Sequence, residues 1–316
     1  MTDDSTETNT PDANLVRTAL RTIGGSGLSA GPLGFGCWRF VSFQVDHPQQ
    51  VIETALDYGM NLIDTADVYG LDWGGTHFGE AEELLGTVLA GAPGLRDRMV
   101  LATKGGITPP TPYNSSPTHL SRAIDDSLRR LQVDTIDLYH IHRPDLYTHP
   151  AEVAAALTEA RESGKIREVG VSNHTVAQTE ALAAHLPFPL ATTQPEFSAD
   201  HLDPMFDGTF DMAMRRDITA LAWSPIGGGR LALGVPGPDG PTPELLAQID
   251  SLAEREDTTR VAVALAFVLT HPVAPIAIVS SQTPERIIDA TKALSVRLDR
   301  SDCYAIIEAS TGVPMP

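Results

Sequence analysis

An acid and a phenol lie five residues apart in residues 61–70, and together they could move a proton. Asp64 lies in a short apolar strand predicted over residues 62–66, and Tyr69 lies in the Gly-rich loop that follows. A buried acid has no packing reason to end an apolar strand. A phenol just beyond it can donate a proton if a nearby cation lowers its pKa. A helix-capping Asp and a core Tyr are the alternative interpretation, and this stretch alone leaves both open.

Two further side chains could reach the same space. Lys104 ends the strand predicted at 99–104, and His142 ends the strand predicted at 136–142. An inward Lys needs a counter-charge, which Asp64 can supply, and its ammonium would lower the pKa of Tyr69 from about 10. A neutral imidazole could hold a substrate carbonyl by a hydrogen bond. Taken singly, each could also be a surface Lys or a satisfied core His.

The elements that would position these residues alternate between strand and helix. Eight strands followed by eight helical stretches predict an α/β fold, a (β/α)8 TIM barrel, with an N-terminal β-hairpin around residues 24–27 and an extra C-terminal helix at about 299–309. The predicted strands are 33–37, 62–66, 99–104, 136–142, 168–173, 191–197, 218–224 and 275–280. The predicted helices lie near 48–59, 79–90, 118–131, 150–163, 175–186, 205–216, 242–270 and 284–294.

The C-terminal ends of the strands are where such a barrel places its chemistry. Nearly every strand end carries a polar or aromatic residue. This shared character is stronger evidence for a functional site than any single residue is. These residues are Cys37, Trp38, Arg39, Asp64, Tyr69, Lys104, His142, Ser172, Asn173, Gln194, Trp223, Ser224, Ser280 and Ser281.

Taken in order, the motifs at these ends resemble those of the aldo-keto reductase superfamily, from about residue 18 to about residue 298. The segment Ala222-Trp-Ser-x-x-Gly-Gly-Gly-Arg-Leu231 and the segment Asp207-Gly-Thr-Phe-Asp are most similar to the bacterial YdhF-like oxidoreductase branch. The matching motifs are Asp64-Thr-Ala-x-x-Tyr69-Gly, Ala102-Thr-Lys104, Asp137-Leu-Tyr-x-Ile-His142-x-Pro, Gly164-Lys-Ile-Arg-x-x-Gly-Val-Ser172-Asn173, Gln194, Ala222-Trp223-Ser-Pro and Pro284-Glu-Arg286-Ile.

The resemblance implies NAD(P)H-dependent reduction of an aldehyde or ketone to an alcohol by hydride transfer, with a small-molecule carbonyl substrate. The catalytic tetrad of the family falls on Asp64, Tyr69, Lys104 and His142. Tyr69 would be the general acid, Lys104 paired with Asp64 would tune it, and His142 would orient the carbonyl.

The resemblance also implies a site for NADPH (NADP+). Amide and hydroxyl groups would hold the carboxamide, Trp223 would stack on the nicotinamide, and Arg286 would contact the adenosine phosphate. Many relatives carry a Lys after the eighth strand, where this chain has Ser280-Ser281-Gln282, so NADH stays possible. The expected cofactor-binding residues are Gly36, Cys37, Trp38, Ser172, Asn173, Gln194, Trp223, Ser224, Pro225, Gly227, Gly228, Gly229, Arg230, Ser280, Ser281 and Arg286.

The substrate pocket is expected to have aromatic walls. Trp38 and Arg39 follow the first strand and Trp73 lies in the loop after Tyr69. Each could instead pack a loop against the barrel. The loop at 107–116, with three prolines, is long enough for a lid or is a stiff surface excursion.

Composition narrows the class of protein. The net charge of −19 argues against nucleic acid or an anionic membrane as a partner, and no apolar run has membrane length. Two cysteines far apart in the sequence fit a reducing cytoplasm. Residues 1–14 are predicted to be a disordered acidic tail, neither a signal nor a transit peptide, and residues 15–316 a single domain. No pattern indicates an oligomeric state.

Two rival functions remain at this stage. His140 and His142 have the spacing of a metal-dependent barrel hydrolase, which His174 and Asp64 could complete. A non-catalytic NADPH-binding regulator is the second. The hydrolase leaves Tyr69 and Arg286 unexplained, so we expect no metal site and expect His140 to be a hydrogen-bonded histidine inside the barrel.

Overall fold

Eight parallel strands close into a barrel in the computed structural model, which describes residues 13–42, 44, 46–71, 74–237 and 240–316. The order around the barrel is β3, β4, β5, β8, β9, β10, β11 and β12, and β12 pairs again with β3. The strands are β1 (Arg21–Thr22), β2 (Ser29–Ala30), β3 (Leu33–Gly36), β4 (Leu62–Asp64), β5 (Val100–Gly105), β6 (Ile107–Thr108), β7 (Thr111–Tyr113), β8 (Ile136–Ile141), β9 (Ile166–Ser172), β10 (Thr192–Gln194), β11 (Thr219–Ala222) and β12 (Ile276–Val279).

Helices surround the barrel, so the predicted α/β fold class is confirmed. The α-helices are α1 (Pro48–Asp57), α2 (Glu80–Gly91), α3 (Pro117–Leu131), α4 (Pro150–Glu162), α5 (Val176–Ala183), α6 (Asp203–Phe206), α7 (Thr209–Arg216), α8 (Arg230–Leu233), α9 (Pro243–Arg255), α10 (Arg260–Val268), α11 (Pro284–Ala290) and α12 (Arg300–Thr311). Short 3₁₀ helices span Pro93–Arg98, Gly227–Gly229 and Thr291–Ser295.

The hairpin of β1 and β2 closes the N-terminal end of the barrel. Ile23 and Ala30 are fully buried and pack in one cluster with strand residues such as Leu62, Leu138 and Leu221. A larger apolar cluster lies between the strands and the helices. Because apolar side chains fill the bottom of the barrel, the polar groups of the site lie towards its C-terminal end.

Two of the predicted helices are wrong in extent, because each is broken in two. The stretch predicted at 205–216 is divided between α6 and α7 at Gly208, whose φ of 87° is in the left-handed region that glycine tolerates. The stretch predicted at 242–270 is divided between α9 and α10. There the side chain of Thr259 accepts a hydrogen bond from the N–H of Ala262 and caps a new helix.

The proline-rich loop at 107–116 contains the antiparallel hairpin of β6 and β7. The carboxylate of Asp145 accepts a hydrogen bond from the N–H of Ser115 (2.8 Å), which ties the hairpin to the loop after β8. Its role as a lid stays a prediction.

Residues 1–12 of the N-terminal tail predicted at 1–14 lie outside the described residues. Asn14 belongs to the fold, because its side-chain oxygen accepts hydrogen bonds from the N–H groups of Val16 and Leu298. In the described part of the chain, each helix is too short or too polar to span a membrane.

Candidate active site

Lys104 forms the centre of the site. Its side chain is 1% exposed, and its ammonium donates to Asp64 Oδ2 at 2.7 Å, to the carbonyl of Thr65 at 2.8 Å and to the hydroxyl of Tyr69 at 3.3 Å. The sheet register explains the contact, since Asp64 pairs with Ala102 and Lys104 is two residues further along β5 on the same face. The structure therefore brings Lys104, from the end of one predicted strand, into contact with Asp64 and Tyr69, from the end of another and the loop that follows it.

The segment between Asp64 and Tyr69 is held against β5 by backbone hydrogen bonds. The N–H of Thr65 donates to the carbonyl of Ala102 (2.9 Å), and the N–H of Asp67 donates to the carbonyl of Lys104 (3.0 Å). This anchoring fixes the position of the half-buried Tyr69 next to the lysine.

His142 faces Tyr69 from the end of β8. Its backbone N–H donates to the carbonyl of Gly105 (2.9 Å), and its ring lies 5.8 Å from the Tyr69 ring at an angle of 79°. Burial holds the pKa of His142 well below its usual range, and the charges of Lys104 and Arg143 lower it further. The imidazole is therefore neutral, as expected from the sequence.

The expected direction of the Tyr69 pKa shift is wrong. Burial raises the pKa of Tyr69 above its usual value, and the attraction of Lys104 for the phenolate is too weak to reverse this because Asp64 opposes it. Burial alone would lower the pKa of Lys104, but Asp64 and Tyr69 raise it above its usual value. The site thus holds a protonated phenol beside a charged ammonium.

A connected set of amide and hydroxyl groups lies beside the tetrad. Ser172 Oγ donates to the carbonyl of Gln194 (3.1 Å), Asn173 Nδ2 donates to Ser172 Oγ (2.8 Å), and Trp223 Nε1 donates to Asn173 Oδ1 (3.0 Å). The side-chain amide of Gln194 donates to Asp64 Oδ1 at 3.2 Å. These donors and acceptors fit a nicotinamide carboxamide next to the reacting groups.

A glycine turn continues from this set. Ser224 and the three residues Gly227–Gly229 all have positive φ, and the buried Pro225 precedes the turn. A side chain at Gly227 would overlap the carboxylate of Asp200. Such a turn allows close approach of backbone N–H groups to a pyrophosphate, which fits a dinucleotide. The guanidinium of Arg230 donates to Asp200 at 3.1 and 3.2 Å, so this expected cofactor residue is held by an acid that the sequence analysis missed.

The remaining expected cofactor residues lie at the neighbouring ends of β3 and β12 and in α11. A Cβ atom at Gly36 would lie 2.6 Å from Ser280 Oγ, so the two strand ends are in contact. Cys37 is fully buried, and burial raises the pKa of its thiol. Ser281 Oγ accepts a long hydrogen bond from the N–H two residues later (3.5 Å). Arg286 is exposed in the first turn of α11.

The mouth of the site carries charged and aromatic groups. The guanidinium of Arg39 lies 5.1 Å from the ring centroid of Trp38. Trp73, predicted to line the substrate pocket, lies outside the described residues. Glu80 was missed: its carboxylate accepts hydrogen bonds from the N–H groups of Ser42 (2.9 Å) and Thr76 (2.6 Å) and so joins two mouth loops. The sequence signal that could have indicated Glu80 was its position directly after Gly79, at the start of a helix.

His140 lies inside the barrel, as predicted. Its Nε2 atom is 2.8 Å from Thr192 Oγ1, and burial together with Lys104 lowers its pKa to about 3. A side chain at Gly170 would overlap the hydroxyl of Thr192, so the missing side chain leaves room for the imidazole. Within the described residues, no three His, Cys, Asp or Glu side chains are grouped to hold a metal ion.

A closed parallel barrel with an Asp–Lys–Tyr cluster and a neutral His at its C-terminal mouth defines a class of oxidoreductase. The chain belongs to the aldo/keto reductase family, whose model matches residues 32–310. It is an oxidoreductase that reduces an aldehyde or ketone to an alcohol by hydride transfer from a nicotinamide cofactor. The rival hydrolase and regulator functions find no support in these comparisons.

Several relatives share nearly the full length of the chain. It is 45% identical to a 6-dehydroglucose reductase of Novosphingobium aromaticivorans, over 94% of this chain and 97% of the relative. It is 34% identical to oxidoreductase YdhF of Escherichia coli, over 93% and 98%, which supports the predicted branch. A solved glycerol dehydrogenase of Gluconobacter oxydans superimposes with a TM-score of 0.78 at 27% identity, over 94% and 97%.

Proposed function

We propose that the chain is an NADPH-dependent carbonyl reductase in which Tyr69 is the general acid. One observation carries the proposal: the buried ammonium of Lys104 contacts both the carboxylate of Asp64 (2.7 Å) and the hydroxyl of Tyr69 (3.3 Å). Reduction of a carbonyl places negative charge on its oxygen. A proton donor with a fixed cation behind it neutralises that charge.

Each member of the cluster has a separate task. Tyr69 donates its proton to the carbonyl oxygen, and its raised pKa keeps that proton in place until the oxygen becomes basic. Lys104 stabilises the phenolate left behind. Asp64 keeps Lys104 charged inside the barrel, where an unpaired ammonium would be costly.

His142 orients the substrate. Because the imidazole is neutral, it offers one N–H to the carbonyl oxygen without competing with Tyr69 as the acid. Its Nδ1 atom is buried and has no hydrogen-bond partner in the described part of the chain, so no protein group fixes the imidazole through that atom.

The cofactor supplies the hydride when it is bound. Ser172, Asn173 and Gln194 would hold its carboxamide, Trp223 would cover the ring, and the Gly227–Gly229 turn would follow the pyrophosphate. Arg286, exposed at the start of α11, is the cation for a 2′-phosphate and the basis for proposing NADPH over NADH.

An oxidised sugar is the proposed class of substrate. The relative with 45% identity is a 6-dehydroglucose reductase. Arg39 beside Trp38 at the mouth combines a hydrogen-bond donor with an aromatic face, which suits a polyhydroxylated compound. The cytoplasmic location also stays a prediction.

The test measures cofactor oxidation by the wild type and by Tyr69→Phe over aldehydes, ketones and oxidised sugars, with NADPH and NADH in parallel. We expect Tyr69→Phe to lose about 10²–10⁴-fold in kcat, because the acid is gone, while cofactor affinity is kept. Arg286→Ala is the matched variant for cofactor choice and should weaken NADPH more than NADH. Unchanged turnover by Tyr69→Phe would remove Tyr69 from its role, and equal losses of both cofactors would contradict the 2′-phosphate contact.

A further inference from the structure

Asp67 is a buried acid in the segment that connects Asp64 to Tyr69. It is 1% exposed, and its N–H donates to the carbonyl of Lys104 (3.0 Å). Because it lies three residues after the carboxylate and two before the phenol, a displacement of Asp67 from β5 would move Tyr69 as well.

The carboxyl of Asp67 shares a closed space with a second polar group. A Cβ atom at Gly105 would overlap the hydroxyl of Tyr139 and would lie 3.2 Å from Asp67 Oδ2, so the missing side chain leaves this space to the acid and the phenol. Tyr139 is fully buried. Among the described residues, neither Asp67 Oδ1 nor the Tyr139 hydroxyl has a hydrogen-bond partner.

Four charged or titratable groups surround Asp67: Glu82 from α2, Arg130 from α3, Lys104 from β5 and Tyr139 from β8. Both cations are already engaged. The guanidinium of Arg130 contacts Glu82 Oε2 at 2.7 Å, and Lys104 contacts Asp64 at 2.7 Å.

A negative charge on Asp67 would therefore be buried beside the carboxylate of Glu82 without a cation of its own, which is costly. Burial raises the pKa of Asp67 well above its usual range, and Glu82 raises it further. Burial and the neighbouring Glu82–Arg130 pair therefore both favour the neutral form of the acid.

We propose that Asp67 is a positioning residue whose neutral carboxyl packs the segment 65–69 against β5 and so sets the hydroxyl of Tyr69 beside Lys104. Ionisation of Asp67 would repel Glu82 and push the segment away from the strand. The enzyme then has an alkaline limit of activity that Asp67 sets. This inference rests on the proposed function of Tyr69.

The experiment compares Asp67→Asn, which keeps the shape of the acid but cannot ionise, with Asp67→Ala, which removes the packing. We expect Asp67→Asn to keep at least half of kcat at pH 7 and to stay active to higher pH than the wild type. We expect Asp67→Ala to lower kcat about tenfold. Its dissociation constant for NADPH, measured by quenching of tryptophan fluorescence, should not change.

A second readout does not depend on turnover. A group with a raised folded-state pKa binds a proton in the native state when the unfolded chain has released it, so wild-type stability falls as pH rises above about 4. The amide introduced in Asp67→Asn does not titrate, so the Tm of this variant minus the Tm of the wild type should increase as pH rises. The exposed acid in Asp134→Asn is the control, and its Tm difference should stay constant.

Each outcome decides something. A constant Tm difference for Asp67→Asn overturns the neutral acid, and an alkaline limit equal to that of the wild type overturns the claim that ionisation of Asp67 sets this limit. Wild-type kcat in a folded Asp67→Ala overturns the positioning role and leaves the proposed function intact. If Asp67→Ala does not fold, the pH profile of Asp67→Asn still decides. If the wild type reduces no carbonyl compound, the proposed function fails, and the Tm comparison still decides the charge of Asp67.

Discussion

Two ion pairs of similar geometry lie on opposite faces of β5. On the inner face, Lys104 pairs with Asp64 at 2.7 Å; on the outer face, Arg130 pairs with Glu82 at 2.7 Å, and Glu82 also accepts from Thr103. Both pairs are largely removed from water. Adjacent residues of one strand, Thr103 and Lys104, thus face two buried ion pairs because side chains alternate along a strand.

The difference between the two pairs lies in the third group that each cation meets. Lys104 reaches the hydroxyl of the half-buried Tyr69, whereas the guanidinium of the buried Arg130 lies 5.7 Å from the ring centroid of Phe78. Burial of an ion pair is therefore not by itself a sign of catalysis. What distinguishes the inner pair is a proton donor between the cation and the open end of the barrel.

The largest expected effect breaks the inner pair. Lys104→Met should lower kcat/KM about 10³-fold, because the charge that stabilises the Tyr69 phenolate is lost. It also leaves Asp64 buried without a partner, so stability should fall. Steady-state reduction of a carbonyl substrate and thermal unfolding measure the two effects separately.

The control for this variant is the double change Asp64→Asn/Lys104→Met. It removes both charges and should recover stability but not activity. Recovery of activity in the double variant would contradict the role assigned to Lys104.

The outer pair should show the reverse behaviour. Arg130→Met leaves Glu82 charged and buried, and we expect it to cost about 3–5 kcal/mol in the free energy of unfolding. Activity per folded molecule should change little, since the Lys104 contacts are on the other face. Urea unfolding gives the stability, and kcat corrected for the folded fraction gives the activity. Glu82→Gln/Arg130→Met should recover most of the loss; a large drop in kcat there would show that the two faces are coupled.

The inner pair could be predicted from the sequence, and the outer one could not. Asp64, Lys104 and His142 were each predicted at the end of an apolar strand. The C-terminal ends of the strands meet at one end of a parallel barrel. The order of the motifs was therefore sufficient to predict that these side chains lie close together. Glu82 and Arg130 are charged residues inside helices, where such residues usually face water. Only the packing of α2 against α3 shows that they face each other.

Two other features could not be predicted from the sequence: the effect of burial on a pKa, and the points at which a helix is interrupted. The pKa of Tyr69 depends on how far the phenol is desolvated, which the sequence does not encode locally, and the expected direction was therefore wrong. Helical periodicity continues across Gly208 and Thr259, although one adopts a positive φ and the other caps a new helix. The barrel as a whole was predictable because eight repeated units make its pattern redundant.

Per pH unit, the smallest expected effect is a pH dependence of stability that comes from the inner face. On the inner face, burial lowers the folded-state pKa of His140 to about 3 and holds that of His142 well below its usual range. Between these values and about 6.5, the unfolded chain binds protons that the native state does not. Stability should therefore fall as pH decreases below about 6.5, by up to ~1.4 kcal/mol per pH unit for each histidine.

His142→Gln removes one of these groups and should reduce the loss of Tm as pH decreases from about 6.5 to about 4. The opposite contribution of Asp67, which lowers stability as pH rises above about 4, should stay. Equal acid slopes in the variant and the wild type would mean that His142 binds a proton in the folded protein as readily as in the unfolded chain, and so is charged below about pH 6.5. In that case the imidazolium would compete with Tyr69 as a proton donor, and the division of roles in the inner cluster would need to be reassigned.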